Sequence, residues 1–291
     1  MILFKKVADL QRYLDTKRMN QEKIGFVPTM GALHQGHLSL IESSRKDNSI
    51  TVCSIFVNPA QFNDPADFEK YPVTIENDIL LLEPAGADIL FLPPVSEVYP
   101  LSTSFTRRYD LGYLETILEG KYRPGHFQGV CKVMHRLLDV VKPDNLYLGQ
   151  KDYQQCMVIA KLAELIGLKD YTKVNICPTL READGLAMSS RNMRLNKEER
   201  EKATAIYKAL IYIKNNLQPG NLQALKATAI AKLVAEGFKP DYIEIADAAT
   251  LKVVNEWNGK QKLVALAAAF LNEVRLIDNM IISPEDGKSV A

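Results

Sequence analysis

Short apolar runs alternate with helical patterns over the first 177 residues of the chain. The apolar runs show little internal alternation, and each ends at or near a proline or glycine: residues 24–27, 51–57, 88–92, 146–148 and 173–177. Helical spacing lies between them, at residues 37–45, 74–82, 130–140 and 154–165. Continuous apolar runs are typical of parallel strands covered on both faces. The alternation therefore predicts a doubly wound α/β domain over residues 1–177, whose ligands bind beyond the carboxyl ends of the strands.

The pattern changes after residue 177. A charged helix start at 196–200 leads into helical spacing to about residue 216, and a second helix is predicted over 222–236. Strand-like runs follow at residues 241–245, 262–270 and 274–282. Helices followed by grouped strands predict a second, smaller α+β domain over residues 178–291.

Composition narrows the class of protein. Of the 291 residues, 47% are hydrophobic and 24% are charged, which is typical of a soluble globular protein. The 36 basic and 35 acidic residues leave a formal net charge of +1, so we expect no nucleic-acid partner and no anionic-membrane surface. No apolar stretch reaches the roughly 18 residues of a membrane span. Residues 1–10 also lack the apolar region of a signal peptide, so we expect a cytoplasmic protein.

The four cysteines are far apart and form no CxxC pair: Cys53, Cys131, Cys156 and Cys177. This spacing favours neither a structural zinc site nor a disulfide scaffold. Their neighbours are apolar, so we expect reduced thiols that pack as small buried hydrophobes.

The most distinctive segment is PTMGALHQGH at residues 28–37, directly after the first predicted strand and directly before a helix. It holds two of the four histidines, His34 and His37. Glycine lets the backbone approach a ligand, and the N-terminus of the next helix offers N–H groups and a positive dipole end to an anion. The segment predicts a phosphate site where both histidines stabilise developing negative charge. Turn histidines without a role, or a metal site lacking a nearby third ligand, are the alternatives.

His34-x-Gly36-His37 resembles the HxGH motif of the adenylyl- and cytidylyltransferase superfamily. MSSRN at residues 188–192 lies where that superfamily carries a KMSKS-like loop. Further segments are similar to one family, in the same order: FVNPAQF at 56–62, YP at 71–72, RPGHFQGV at 123–130, GQKDYQQ at 149–155 and READGLAMSSRN at 181–192. On these segments the chain resembles the pantothenate synthetases, the pantoate–β-alanine ligase family. The resemblance implies that the α/β domain is a Rossmann-like domain of the HxGH nucleotidyltransferase type.

The resemblance implies an acid–amine ligase that uses ATP to join pantoate to β-alanine. Pantoate and ATP would give pantoyl adenylate and pyrophosphate, and β-alanine would then convert the adenylate to pantothenate and AMP. By the same resemblance His34, His37 and Lys151 are catalytic, with His37 as the proton donor. The positive charge at the site would come from the helix N-terminus, both histidines, Lys151 and Arg191.

Two sets of binding residues are implied as well. ATP would be bound by Met30, Gly31, His34, Gly36, His37, Gly149, Gln150, Lys151, Asp152, Leu180, Met188, Ser189, Ser190 and Arg191. Pantoate and β-alanine would be bound by Gln61, Gln155, Asn58 and Arg123. Glutamine suits a ligand with two hydroxyls and a carboxylate, because its amide both donates and accepts hydrogen bonds. Asn58 is expected to hold its loop or the substrate, His126 to lie in a segment covering the site, and His135 to have no role.

Magnesium is expected with ATP, because a divalent ion usually bridges the phosphates and keeps several waters. Asp78 is a candidate carboxylate near that ion, and a helix surface charge is an equal alternative. The resemblance also implies a homodimer. Two positions depart from the family pattern: Val73, where Arg commonly follows Tyr-Pro, and Gln150, where Glu often precedes Lys-Asp.

Two other functions stay open. One is a different HxGH nucleotidyltransferase, which would need another acceptor pocket; the other is a non-catalytic nucleotide sensor that kept the fold. Neutral charge and a small second domain argue against an aminoacyl-tRNA synthetase, because no tRNA-binding surface is evident.

Overall fold

The computed structural model describes residues 1–62, 65–100 and 107–284, with the backbone alone at residues 65 and 66. The chain divides into two compact units, Met1–Leu180 and Arg181–Ala291, three residues after the predicted boundary at 177. Residues 285–291 of the predicted second domain lie outside the described part. No helix in the described ranges is both long enough and apolar enough to cross a membrane.

The first unit alternates strands with helices. Its elements are β1 (Ile2–Phe4), α1 (Val7–Met19), β2 (Ile24–Thr29), α2 (Gln35–Asp47), β3 (Ile50–Ile55), α3 (Pro65–Glu69), α4 (Ile75–Ala85), β4 (Ile89–Phe91), α5 (Val95–Val98), α6 (Leu118–Tyr122), α7 (His126–Val141), β5 (Asn145–Gly149), α8 (Tyr153–Leu165) and β6 (Lys173–Cys177). Short 3₁₀ turns cover Pro59–Gln61, Gly112–Glu115 and Gln150–Asp152. The apolar pattern predicted five of these strands and missed β1, and the helical spacing predicted α2, α4, α7 and α8 and missed α1, α3, α5 and α6.

The six strands form one parallel sheet in the order β1-β4-β3-β2-β5-β6. From β2 the chain builds outward through β3 and β4, and then adds β5 and β6 on the opposite side of β2. The predicted doubly wound α/β fold is confirmed. The winding direction switches between β2 and β5, and open α/β sheets bind ligands at the carboxyl ends of the strands beside such a switch.

The strand β2 runs two residues further than predicted, through Pro28 to Thr29. Proline lacks an N–H and is rare in a central strand. The Thr29 carbonyl accepts a hydrogen bond from the N–H of Phe56, so the backbone N–H and C=O of Thr29 face β3. The backbone groups of successive strand residues face opposite sides, so the backbone of Pro28 faces β5. On that side the β2–β5 register covers residues 25–26 and ends before Pro28. Pro28 therefore removes no ladder bond, and the β2–β5 ladder stops short of the carboxyl ends.

The central strands are buried on both faces as predicted, but β6 is not. Lys173 and Ile176 of β6 are exposed, because the edge of a sheet receives less cover from the flanking helices. One core cluster of the first unit contains Val27, Leu33, Leu40, Ile41, Cys53, Ile55, Leu82, Ala87, Leu90 and Tyr147. All four cysteines are free; three are buried as expected, and Cys177 at the end of β6 is only partly buried.

The second unit is α+β, as predicted. Its elements are α9 (Lys197–Lys202), α10 (Ala205–Asn216), β7 (Gly220–Asn221), α11 (Gln223–Ala235), β8 (Phe238–Asp247), β9 (Glu256–Trp257), β10 (Leu263–Leu271) and β11 (Val274–Ile282). Strands β11, β10 and β8 form an antiparallel sheet. The single helix predicted from residue 196 to 216 is two helices. The hydroxyl of Thr204 donates to the carbonyl of Glu201, a local bond that competes with helical pairing where the two helices meet.

Candidate active site

The turn between β2 and α2 presents two histidines at the start of a helix. Gly31 and Ala32 have φ angles of 82° and 48°, so the chain reverses through two consecutive left-handed residues. His34 is extended, with φ −141° and ψ 172°, and caps α2, which begins at Gln35. His37 therefore lies inside the first helical turn, and its ring centroid is 4.0 Å from that of His34. The structure places both histidines at the helix N-terminus, as the sequence predicts.

Both histidines are neutral near pH 7. Burial lowers the pKa of His34 to about 4; the ammonium of Lys151 adds to this and Asp152 opposes it. Burial, His34 and Lys151 hold the pKa of His37 well below its usual range. The expectation that these rings supply positive charge is therefore wrong for the free protein. His37 Nδ1 accepts the N–H of His34 at 3.4 Å, so the neutral ring carries its proton on Nε2 and can donate a hydrogen bond from there.

The loop after β5 brings a cation to the same edge of the sheet. Lys151 and Asp152 lie in the 3₁₀ turn that follows Gly149, the last residue of β5. The Lys151 ammonium lies 3.8 Å from an Asp152 carboxylate oxygen, and its side chain is only 17% exposed. Since the Lys151 charge lowers the pKa of both His34 and His37, the three predicted catalytic side chains share one electrostatic environment. They meet at the switch between β2 and β5, where the fold predicts a ligand site.

Asp78 of α4 lies beneath the turn that precedes His34. It is 0% exposed, so the alternative of a helix surface charge is wrong. One carboxylate oxygen accepts the N–H of Leu33 at 2.8 Å, and the other accepts the N–H of Ala32 at 3.0 Å. The hydroxyl of Thr74 donates to the first oxygen at 3.0 Å. Asp78 thus binds the backbone of the turn that carries the two histidines.

Asn58 anchors the 3₁₀ turn that carries Gln61. Its side chain is fully buried, accepts hydrogen bonds from the Tyr99 hydroxyl at 2.9 Å and the Ala60 N–H at 3.3 Å, and donates to the Gly129 carbonyl at 3.2 Å. Of the two expectations for Asn58, holding its loop is the one that the geometry supports.

A buried histidine fixes the other end of this turn. His126, which is 5% exposed, donates from Nδ1 to the Gln61 carbonyl at 2.8 Å. Its Nε2 therefore accepts from the Arg123 guanidinium at 3.1 Å, and Arg123 lies 3.7 Å from Glu119. Burial, reinforced by Arg123, lowers the pKa of His126 to about 4. The predicted substrate residue Arg123 is thus connected to Gln61 through a neutral imidazole.

Comparison with known proteins places this geometry in one family. The family model for pantoate-beta-alanine ligase matches residues 2–281. Pantothenate synthetase from Cytophaga hutchinsonii is 42% identical over 97% of this chain and 99% of its own length, and that from Fervidobacterium nodosum is 43% identical over 97% and 100%. The chain belongs to the pantoate–β-alanine ligase family.

Solved structures agree with this membership. Pantothenate synthetase from Thermus thermophilus superposes with a TM-score of 0.88 at 40% identity, covering 96% of this chain and 99% of that one. Pantoate-beta-alanine ligase from Francisella tularensis, complexed with beta-gamma ATP and beta-alanine, superposes with a TM-score of 0.80 at 37% identity, covering 98% and 99%. The family resemblance predicted from the sequence segments is confirmed.

The two glutamines of the KDYQQ segment, Gln154 and Gln155, have different environments in this chain. Gln154 is 2% exposed, accepts the N–H of Glu119 and donates to the carbonyls of Leu114 and Ile117. Gln155, the predicted substrate residue, is partly exposed. The first glutamine therefore holds the polypeptide around α6, which leaves the second as the better candidate for a ligand.

The remaining predicted nucleotide residues of the first unit are Met30, Gly36, Gln150 and Leu180, all of them at least partly exposed. Val73, one of the two departures from the family pattern, is 68% exposed. His135 accepts or donates a 2.7 Å hydrogen bond with the Tyr109 hydroxyl, in keeping with a packing role.

In the second unit the MSSRN segment forms a capped turn. Ser189 Oγ accepts the N–H of Arg191 at 3.3 Å, Ser190 is 7% exposed, and Met188 is partly exposed. The nucleotide-binding roles of Met188, Ser189, Ser190 and Arg191 stay predictions.

Sequence reasoning did not identify the residues that support the site through other residues: it missed Tyr99 and Gly129 altogether, and it named Asp78 only as a candidate near a metal ion. Tyr99 and Gly129 support the Gln61 turn, and Asp78 supports the histidine turn, yet each is separated in sequence from the segment it holds. The signal for Gly129 was a helical glycine inside a matching segment, RPGHFQGV, but nothing in the sequence identifies what approaches it. In the described part of the chain, no three His, Cys, Asp or Glu side chains form a group that could hold a metal ion.

Proposed function

We propose that this chain catalyses the ATP-dependent condensation of pantoate with β-alanine to pantothenate, through pantoyl adenylate, with release of AMP and pyrophosphate. The observation that carries the proposal is the convergence of His34, His37 and Lys151 at the β2–β5 switch, beside the N-terminus of α2. Family membership supports it, as does the Francisella tularensis ligase, which was solved with beta-gamma ATP and beta-alanine.

In the first step a pantoate carboxylate oxygen attacks the α-phosphorus of ATP, forming a P–O bond and breaking the bond to pyrophosphate. Negative charge grows on the phosphate oxygens. The N–H groups at the start of α2, Nε2–H of His37 and the Lys151 ammonium stabilise that charge, and His34 contributes beside them. In the free protein both histidines are neutral, so Lys151 brings the full positive charge of these three residues to the site before ATP binds.

In the second step the amine of β-alanine attacks the acyl carbon of the adenylate. The C–N bond forms, the C–O bond to AMP breaks, and the amine loses a proton. Gln61 and Gln155 hold pantoate, with Asn58, His126 and Arg123 fixing the Gln61 turn. Loss of the turn would therefore weaken pantoate binding without removing a charge from the phosphate site.

In the second unit, we assign Ser189, Ser190 and Arg191 to the phosphates of ATP and Met188 to the nucleotide, because the MSSRN segment follows the family pattern. Two hydroxyls and a guanidinium suit a polyphosphate. Substituting Arg191 with Ala should weaken ATP binding more than pantoate binding.

Magnesium fits this site as an ion carried by ATP. A hydrated ion on the phosphates needs few protein ligands, and the described residues offer no group of three carboxylates, imidazoles or thiolates. The ion would neutralise phosphate charge there. We also propose, on the family resemblance, a homodimer in the cytoplasm, which light scattering and cell fractionation test.

The direct test supplies pantoate, β-alanine, ATP and magnesium and follows AMP and pantothenate. Release of both supports the proposal. ATP binding without any release would indicate a nucleotide sensor, and nucleotidyl transfer only to another acceptor would indicate a different HxGH nucleotidyltransferase; either result overturns it.

A second test separates the two substrates. Gln61→Ala should raise the pantoate KM far more than the ATP KM, because the amide is assigned to pantoate. Gln218→Ala, an exposed glutamine of the second unit, is the matched control. Equal losses for both substrates would contradict the assignment of Gln61.

A further inference from the structure

Asp78 accepts hydrogen bonds from the histidine turn and from the cap of its own helix. Its two oxygens accept from Ala32 N–H at 3.0 Å, Leu33 N–H at 2.8 Å and the Thr74 hydroxyl at 3.0 Å. The side chain comes from α4 and reaches across 45 residues of sequence to do so. A charge at 0% exposure is retained only with such partners, because burying an unpaired carboxylate is costly.

The turn that Asp78 binds has an unfavourable backbone. Gly31 and Ala32 are both left-handed, at φ 82° and 48°, and a residue with a Cβ rarely adopts that conformation. Successive N–H groups in such a turn converge and make a concave anion site. Here the anion is supplied by the protein itself, as the Asp78 carboxylate. Since His34 follows Leu33 directly, the bond to Leu33 fixes the backbone one residue before the helix cap.

A magnesium ligand does not fit this geometry. A carboxylate offers about four acceptor directions, and two backbone amides and a hydroxyl use three of them. The group is also tightly enclosed: a Cβ added at Gly31 would lie 3.0 Å from the Asp78 oxygen and 3.0 Å from Ile55 Cγ2. An ion would have to displace the bonds that hold the turn.

We propose that Asp78 is a positioning residue for the adenylation step and not a metal ligand. By holding the N–H groups of Ala32 and Leu33 it fixes the turn, and through the turn it sets His34 as the helix cap and His37 Nε2–H as a donor. The inference rests on the proposed function for its kinetic consequences, but the placement of the histidines is measurable without any reaction.

Asp78→Asn is the decisive variant, because it keeps the shape and replaces one acceptor oxygen by an NH₂ group. That group faces the N–H of either Ala32 or Leu33, and two donors repel. We expect pantoate-dependent pyrophosphate release to fall between 10-fold and 10²-fold in kcat, the size of effect that a displacement of about 1 Å produces. The dependence on magnesium concentration should be unchanged.

The control is Asp247→Ala in the second unit. Asp247 also binds a turn, accepting the N–H groups of Ala249 and Thr250 and the Thr250 hydroxyl at 2.8 to 3.1 Å, but all three bonds go to one oxygen, which an asparagine would keep and an alanine removes. It should lower thermal stability and leave kcat unchanged. If Asp78→Asn behaves in the same way, Asp78 has a merely structural role. If a raised magnesium concentration restores the activity of Asp78→Asn, Asp78 is a metal ligand. Either of these two results overturns the proposal.

Two further measurements keep the test independent of activity and of folding. In ¹⁵N-histidine NMR of the free protein, Asp78→Asn should change the His37 signals that report Nδ1 as an acceptor; unchanged signals overturn the proposal even if the wild type proves inactive. Thr74→Val removes one of the three bonds and should give a smaller loss of kcat, which Thr74→Ser should restore. If Thr74→Val and Asp78→Asn both keep the wild-type kcat, Asp78 does not position the histidine turn and the proposal is refuted.

Discussion

Gly129 lies in the first turn of α7, against the 3₁₀ turn that carries Gln61. A Cβ added there would lie 2.0 Å from the Ala60 carbonyl oxygen and 2.9 Å from Gln61 Cα, where ordinary contact begins at 3.4 Å. Both neighbours are backbone atoms, so no side chain can rotate away. In Gly129→Ala the turn must recede from α7 by more than 1 Å, and Gln61 must move with it.

The change in the free energy of unfolding of Gly129→Ala follows from two opposing effects. Overpacking typically costs about 1–3 kcal/mol, and replacing a helical glycine with alanine returns about 1 kcal/mol. The protein should therefore stay folded, with a free energy of unfolding lower by at most about 2 kcal/mol. Because a misplacement of about 1 Å can cost 10²-fold in rate, we expect kcat/KM for pantoate to fall by about that factor. The KM for ATP should be almost unchanged, since the turn carries none of the nucleotide residues.

The assay is pyrophosphate release at saturating ATP as pantoate is varied, and then the reverse. Gly237→Ala is the control, because Gly237 is left-handed at φ 85° with open space around its missing Cβ. That variant loses about 1–2 kcal/mol of stability from strain and displaces nothing. A folded Gly129→Ala with the wild-type pantoate KM and kcat would refute the argument that the close approach of α7 positions Gln61.

Three other predictions follow from the same structure. Removing the His37 donor in His37→Ala should lower pantoate-dependent pyrophosphate release by about 10²-fold at pH 7 while ATP binding, measured by calorimetry, changes little; undiminished release would show that the ring does not act on the phosphates. Stability should fall as the pH is lowered from 6.5 towards 4, because the unfolded chain takes up protons on His34 and His126 while their folded pKa values lie near 4. The loss is on the order of 3 kcal/mol per histidine, and His126→Gln should make the slope in urea-unfolding free energy shallower. Arg181→Ala should cost about 3–5 kcal/mol in urea unfolding, because the buried Asp278 carboxylate loses bonds of 2.7 and 3.0 Å; a loss below about 1 kcal/mol would show that this pair adds nothing.

Local sequence accounts for most of the fold. The strand at residues 173–177 and the one at 274–282 were predicted to the residue, because each is rich in apolar and β-branched residues and is followed by a proline within two residues. The predictions failed where tertiary context decides. β1 has three residues, too few for a pattern, and pairs with β4 from a distant part of the chain. Pro28 argues against a strand locally, and is tolerated only because the β2–β5 ladder has already ended there.

The sequence by itself determined which chemistry is present: PTMGALHQGH after the first apolar run, Lys151 after a later one, and a family pattern through residue 192. These features are local, so the order of residues along the chain is enough to reveal them. The tertiary structure decided the protonation state of the histidines and the contacts that hold the histidine turn in place. Burial and Lys151 make the histidines neutral in the free protein. Asp78 is a buried anchor of the histidine turn because it accepts two backbone N–H groups from that distant segment, besides the hydroxyl at the cap of its own helix. Solvation and long-range contacts are properties of the folded chain, and no local pattern encodes them.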